Sequence, residues 1–183
     1  MFYKELISTL KVLLIASLVS SLGGVSLELI SEKLVTIVPV VILIPALNHM
    51  CGSFGTIVSS KFTSLLYNGK IDGRGIKDND VTLLFKNIIS IVLIVALYVS
   101  FLSLFVSYIL GEPFDFYYFI KIPLLTLIIS LSLFFISFNV AVITGLYLYK
   151  KKKDPDDFLI PITTAISDLG STILISIFTV IFL

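Results

Sequence analysis

Residues 154–172 read DPDDFLIPITTAISDLGST, and the chain then continues as ILISIFTVIFL. Three acidic residues around a proline open this stretch, and mostly apolar residues follow. One further carboxylate, Asp168, lies inside the apolar run. The segment is long enough to form a membrane-spanning helix, in which Asp168 lies roughly 18 Å from the start and near the bilayer midplane. Inserting an aspartate there is unfavourable by about 2.5–3.5 kcal/mol, so a partner or a cavity is expected for it.

The composition of the whole chain indicates a polytopic membrane protein. Of its 183 residues, 57% are hydrophobic and 14% are charged, and the mean hydropathy is +1.10. Soluble domains have roughly 45–50% apolar and about 25% charged residues. The single Cys51 excludes an internal disulfide, and no nucleic-acid-binding surface or soluble sensor domain is recognisable. We expect an all-α membrane protein, multi-pass in the cell membrane, with residues 1–183 forming a single transmembrane domain.

Five segments are long and apolar enough to span a bilayer. They are Leu10–Ile30, Leu34–Leu66, Thr82–Leu110, Phe116–Tyr149 and Asp156–Phe182. Eleven of the thirteen basic residues lie at one end of these segments, and only Lys33 and Lys121 lie at the other. Because basic residues favour the cytoplasmic side, the N-terminus is predicted to be cytoplasmic and the C-terminus outside. The basic stretches Lys70–Lys77 and Lys150–Lys153 are interpreted as orientation signals that contact lipid headgroups.

The second segment carries features that interrupt helices. It contains Pro39, Pro45, Gly52 and Gly55. A proline inside a helix removes a backbone donor and obstructs the preceding turn. An interrupted helix exposes backbone at membrane depth, which is tolerated where protein or a water-filled cavity receives it. The pattern predicts either such an interruption or a packing kink.

The residues around Asp168 form a polar stripe on one face of the last predicted helix. At helical spacing, this face also carries Pro161, Thr164, Ser171 and Thr172. The second segment offers further polar side chains at comparable depth, which are Asn48, His49, Ser53 and Thr56. The stripe favours a pathway for a cation or a proton.

Other interpretations of Asp168 stay open at this point. A protonated Asp168 with hydrogen bonds across helices would have a purely structural role, although such bonds stabilise by only about 0.6 kcal/mol on average. A secondary transporter that exchanges a cation for H⁺ or Na⁺ would use Asp168 as its protonatable group. A membrane-embedded hydrolase would need a second carboxylate or a base beside a nucleophile, such as His49 in contact with Asp168.

Two stretches resemble the membrane domain of the MgtE magnesium channels and the related solute carrier family 41 transporters. One is DPDDFLIPITTAISDLGST, with its Asp-Pro, later proline, Ser/Thr-rich turn and aspartate. The other is PALNHMCGSFGTIVSSKFTSLLYNGKI, residues 45–71, with a proline followed by a glycine-containing centre. Five segments with a cytoplasmic N-terminus agree with this family. The resemblance implies a divalent cation channel or transporter, not an enzyme, with Mg²⁺ as the favoured ion and Mn²⁺ or another divalent cation as an alternative.

The resemblance also implies roles for individual residues. Asp168 matches the aspartate that holds a largely hydrated magnesium ion, and the carbonyl of Thr164 matches a group that lines the same site. Pro161, Gly52 and Gly55 match family positions, whereas Ser53 stands where the family usually has asparagine. The complete set of predicted pore-lining residues is Asn48, Gly52, Ser53, Gly55, Thr56, Pro161, Ser171 and Thr172.

One aspartate per chain provides few carboxylate ligands for a divalent ion. A two-fold homodimer would bring two copies of Asp168 to one axis, and two carboxylates then face one ion. Mg²⁺ dehydrates reluctantly, so a wide site with few carboxylates and several waters suits it. We therefore expect a homodimer; whether a separate regulatory subunit exists stays open.

Overall fold

The computed structural model describes residues 2–71 and 79–182, and it describes their side chains except at positions 2–6 and 8. The basic residues Arg74 and Lys77 of the second connection lie outside the described residues. The helices are α1 Phe2–Glu28, α2 Ser31–Val35, α3 Val38–Tyr67, α4 Asn79–Ile109, α5 Phe116–Lys150 and α6 Asp156–Phe182. Within the described part of the chain, five of them are long and apolar enough to cross a membrane. The predicted all-α fold with five spanning helices is confirmed.

Local sequence signals explain where several helices begin and end. Gly69 and Gly111 follow α3 and α4 with φ values of +65° and +97°, a left-handed conformation that glycine adopts without steric cost. The N-cap of α5 is Asp115, whose carboxylate accepts a hydrogen bond from the Tyr117 backbone N–H at 2.8 Å. Each of these three residues lies where a polar loop joins an apolar helix.

The predicted second segment, Leu34–Leu66, differs from the structure at its start and in its interior. It comprises the end of α2 and most of α3, and the two helices are separated at Thr36 and Ile37. The helix α3 then continues through Pro45, and the structure does not show the predicted interruption by proline and glycine.

Gly55 of α3 serves helix packing instead. A methyl group on Gly55 would lie 3.0 Å from Thr163 Cβ of α6, which is closer than ordinary contact distance. The Thr56 and Ser59 hydroxyls donate to the carbonyls of Gly52 and Gly55 at 3.1 and 2.8 Å. A glycine-containing helix can therefore stay continuous while another helix approaches its backbone closely.

The helices α3 and α6 pack against each other in the middle of the bundle. The helix α6 also packs against α1 and α5, whereas α4 packs against α3 and α5. Two hydrogen bonds give the relative direction of α1 and α6. Ser20 pairs with Asp168 and Ser26 pairs with Ser176, so the two helices are parallel. The N-terminal end of α1 and the C-terminal end of α6 therefore lie at opposite ends of the bundle. Which end faces the cytoplasm stays a prediction from the lysine distribution.

Candidate functional site

Asp168 lies in the middle of α6, where its half-buried side chain is placed between α1 and α3. Its backbone carbonyl accepts hydrogen bonds from Ser171 Oγ at 3.1 Å and from Thr172 Oγ1 at 2.9 Å. These two hydroxyls belong to the next turn of the same helix. They therefore engage the backbone of Asp168 and not its carboxylate.

The two carboxylate oxygens of Asp168 face different helices. Ser20 Oγ of α1 donates a hydrogen bond to Oδ2 at 3.1 Å. On the other side, a methyl group placed on Gly52 of α3 would lie 3.9 Å from Oδ1 and 3.6 Å from the Thr164 methyl. Because Gly52 has no side chain, Oδ1 and Thr164 face the bare backbone of α3.

Hydroxyl groups on the adjacent face of α6 hold this helix against α3. Ser171 Oγ donates to Asn48 Oδ1. Ser167 Oγ donates to the Cys51 carbonyl at 3.2 Å, and the hydroxyls of Thr163 and Ser59 lie 3.2 Å apart. Thr163, Ser167 and Ser171 are therefore used between helices, at a spacing of four residues. Thr164 and Asp168 lie one position further round the helix and keep polar atoms for another partner.

The structure brings part of the predicted residue set together. Gly52, Thr164, Ser171 and Thr172 surround Asp168, and Asn48 is joined to the group through Ser171. The remaining predicted residues are further along the same helices: Ser53, Gly55 and Thr56 on α3, and Pro161 on α6. Ser53, Thr56 and Pro161 are half-buried, whereas Gly55 is buried against Thr163.

Sequence reasoning missed Ser20, although its hydroxyl contacts the carboxylate directly. The signal lies in the stretch SLVSSLGGVS, residues 17–26, where small residues recur every three positions as Ser20, Gly23 and Ser26. In the structure these three face α6, opposite Asp168, Thr172 and Ser176. Small residues at such spacing mark a helix face that another helix approaches closely. The spacing of Ser20, Gly23 and Ser26 predicts that α1 packs tightly against another helix, but it does not indicate which helix that is.

The donor set of the site suits a cation that keeps its water. No group of three or more His, Cys, Asp or Glu side chains that could hold a metal ion occurs among the described residues. A single carboxylate with hydroxyl, amide and carbonyl groups nearby cannot replace the six oxygens that Mg²⁺ requires. Such a site can instead contact the water shell of a hydrated ion.

We expect Gly52→Ala to lower the rate of divalent ion uptake without unfolding the protein. The added methyl group meets its neighbours at ordinary contact distances of 3.6 and 3.9 Å, so the helices need not separate. It covers the backbone opposite Oδ1 and displaces water that an ion would bring there. We expect a loss of about tenfold at sub-saturating ion concentration, measured as initial uptake into proteoliposomes.

Gly24→Ala is the matched control for this substitution. A methyl group on Gly24 would meet no atom within 4 Å, so neither uptake nor the thermal unfolding midpoint is expected to change. Equal uptake by Gly52→Ala and Gly24→Ala would show that the space between Gly52 and Asp168 is not part of the ion path.

Fold and site together define a class: a helical membrane protein with an ionisable group held at the middle of a spanning helix. Residues 44–178 match the family model MgtE, described as a divalent cation transporter. The match covers more than half of the chain, and the chain belongs to this family. A comparison with curated proteins gives no match.

Membership of the family excludes one of the classes that the sequence left open. The MgtE family transports divalent cations across membranes and is not a family of enzymes. The hydrolase alternative is therefore set aside. The geometry agrees, because His49 is exposed on α3 while Asp168 bonds to Ser20. The chain is a multi-pass membrane protein of a divalent cation transporter family.

Proposed function

We propose that this protein conducts Mg²⁺ into the cell and that Asp168 is its central ion site. The observation that carries the proposal is the half-buried carboxylate in the middle of α6, with Oδ2 bonded to α1 and Oδ1 directed toward the bare backbone at Gly52. An ionisable group at that depth marks an ion or substrate path. The path is lined by α3 and α6.

Mg²⁺ is favoured over other divalent ions by the number and kind of the ligands. Thr164 and Asp168 on α6, with Gly52 on α3, provide one carboxylate and few other oxygens. Ca²⁺ usually takes six to eight protein and water oxygens directly, whereas Mg²⁺ commonly retains several waters. Mn²⁺ has a coordination chemistry close to that of Mg²⁺ and is the ion expected to substitute for it.

The working unit in this proposal is a homodimer. One side of α3 carries the polar residues His49, Ser53, Thr56 and Ser60, all exposed or half-buried in the single chain. Polar side chains that face lipid are unfavourable, so this side of α3 favours a protein neighbour or water over hydrocarbon. A two-fold axis beside it brings two copies of Asp168 toward one ion.

Ion uptake by the purified wild-type protein tests the proposal. Proteoliposomes are given inward gradients of Mg²⁺, Mn²⁺ or Ca²⁺, with equal pH and Na⁺ on both sides. We expect uptake in the order Mg²⁺, Mn²⁺, Ca²⁺ at equal concentration. Uptake that requires an outward H⁺ or Na⁺ gradient would identify a cation exchanger instead. Uptake of Ca²⁺ in preference to Mg²⁺ would contradict the assigned ion.

A further inference from the structure

The first helix contributes a direct contact to the carboxylate of the site. Ser20 Oγ and Asp168 Oδ2 are 3.1 Å apart, although 148 residues separate them in sequence. The family match begins at residue 44 and therefore does not include α1. The contact therefore involves a helix that lies outside the matched residues.

We propose that Ser20 is a positioning residue for ion transport, an inference that rests on the proposed role of Asp168. Its hydroxyl donates to Oδ2 and thereby fixes the rotation of the carboxylate group. Held in this way, the carboxylate directs Oδ1 toward Gly52 and the backbone of α3. Oδ1 then accepts hydrogen bonds from the water shell of the ion, while Oδ2 keeps its hydrogen bond from Ser20 of α1.

The packing of α1 on α6 explains how the hydroxyl is held at this distance. A methyl group on Gly23 would overlap Thr172 Oγ1 and lie 3.5 Å from the Asp168 carbonyl, so only glycine permits this approach. One turn further on, the Ser26 carbonyl accepts a hydrogen bond from Ser176 Oγ at 2.9 Å. Ser20 is the first of three α1 residues that meet α6 in register.

Within the described chain, α1 is held mainly by its contact with α6. Among the described helices, α1 packs against α6 and the short α2 only, and its other sides are largely exposed apolar residues. A substitution on the α1 side of this contact therefore alters where the Ser20 hydroxyl lies without directly touching α3, α4 or α5. This separates the positioning role of α1 from the folding of the remaining bundle.

A purely structural role for Ser20 makes a different prediction from a positioning role. If the hydrogen bond only stabilises packing, its removal would lower the unfolding temperature and leave KM and the maximal rate unchanged. Removing a positioning hydrogen bond to the carboxylate would raise the KM for Mg²⁺, because a freely rotating carboxylate presents Oδ1 less often. We expect Ser20→Ala to raise KM about tenfold with a small change in maximal rate.

Ser20→Ala and four further variants of the chain test this in proteoliposomes. Ser20→Thr keeps a hydroxyl and is expected to restore KM to within about threefold of wild type. Ser21→Ala is the matched control, because the Ser21 hydroxyl is exposed and donates to the Ser17 carbonyl of its own helix. Gly23→Ala moves α1 away from α6 while keeping the Ser20 hydroxyl, and it is expected to raise KM like Ser20→Ala. Asp168→Asn tests the role of the carboxylate itself.

The outcomes separate this inference from the proposed function on which it rests. A raised KM in Ser20→Ala and in Gly23→Ala, with normal KM in Ser20→Thr and Ser21→Ala, supports the inference. Unchanged KM in Ser20→Ala, with Asp168→Asn inactive, overturns the role of Ser20 alone. Wild-type transport by Asp168→Asn overturns the proposed function and this inference together. If Ser20→Ala does not fold, the KM of Gly23→Ala decides: a normal value overturns the inference.

Discussion

Replacing Asp168 by alanine lowers Mg²⁺ uptake into proteoliposomes by at least about 100-fold, which corresponds to roughly 2.7 kcal/mol. The expected effect is large because, in the proposed path, the Asp168 carboxylate in the middle of α6 is the group that holds the ion. A divalent ion about 4 Å from a carboxylate gains several kcal/mol even at an effective dielectric constant of about 20.

The control for this experiment removes a carboxylate from the same helix. Asp157 is exposed in the first turn of α6, and Asp157→Ala is expected to transport at close to the wild-type rate. Both variants are compared at equal reconstituted amounts, with thermal unfolding measured in detergent. A folded Asp168→Ala protein that transports like Asp157→Ala would show that the intramembrane carboxylate has only a structural role.

A heterodimer with one wild-type chain and one Asp168→Ala chain transports at least about tenfold more slowly than the wild-type homodimer. The reason is that, in the proposed homodimer, both carboxylates face one ion on the two-fold axis, so the remaining one would hold it more weakly. Two differently tagged chains are co-expressed, and two successive affinity steps isolate the mixed complex. Its uptake is compared with that of a doubly tagged wild-type complex prepared in the same way.

Two results would contradict the shared site. Recovery of no doubly tagged complex in mild detergent would argue against the homodimer. A mixed complex that keeps about half of the wild-type rate would indicate that each chain carries its own independent path. A tagged pair of wild-type and Gly24→Ala chains is the control for a substitution in one chain, because Gly24 faces open space.

The fold was predictable because each spanning helix carries its own signal. Length, hydropathy and short polar connections define a membrane helix without reference to the rest of the chain. The interior of α3 was not predictable in the same way. Pro45, Gly52 and Gly55 are compatible both with a break and with a close helix contact, and only the position of α6 distinguishes the two.

The site was predictable on α6 and less so elsewhere. Asp168 stands out because a charge inside an apolar run is rare, and Thr164, Ser171 and Thr172 follow from helical spacing. The contact with Ser20 depends on which face of α1 meets α6 and at what register, and hydrophobic periodicity does not encode this. Hydroxyls at 163, 167 and 171 look equivalent to Thr164 in sequence, yet the structure uses them to hold α3 against α6.

Counting the ions bound by the purified protein tests the role of Asp168 most directly. Mn²⁺ is titrated into detergent-solubilised wild-type and Asp168→Asn proteins, and free Mn²⁺ is measured by electron paramagnetic resonance. The account predicts that the wild type binds one Mn²⁺ for each pair of chains, that excess Mg²⁺ displaces it, and that Asp168→Asn loses this site. Equal Mn²⁺ binding by both proteins, displaced by Mg²⁺ in both, would place the ion at some other part of the molecule and contradict the account.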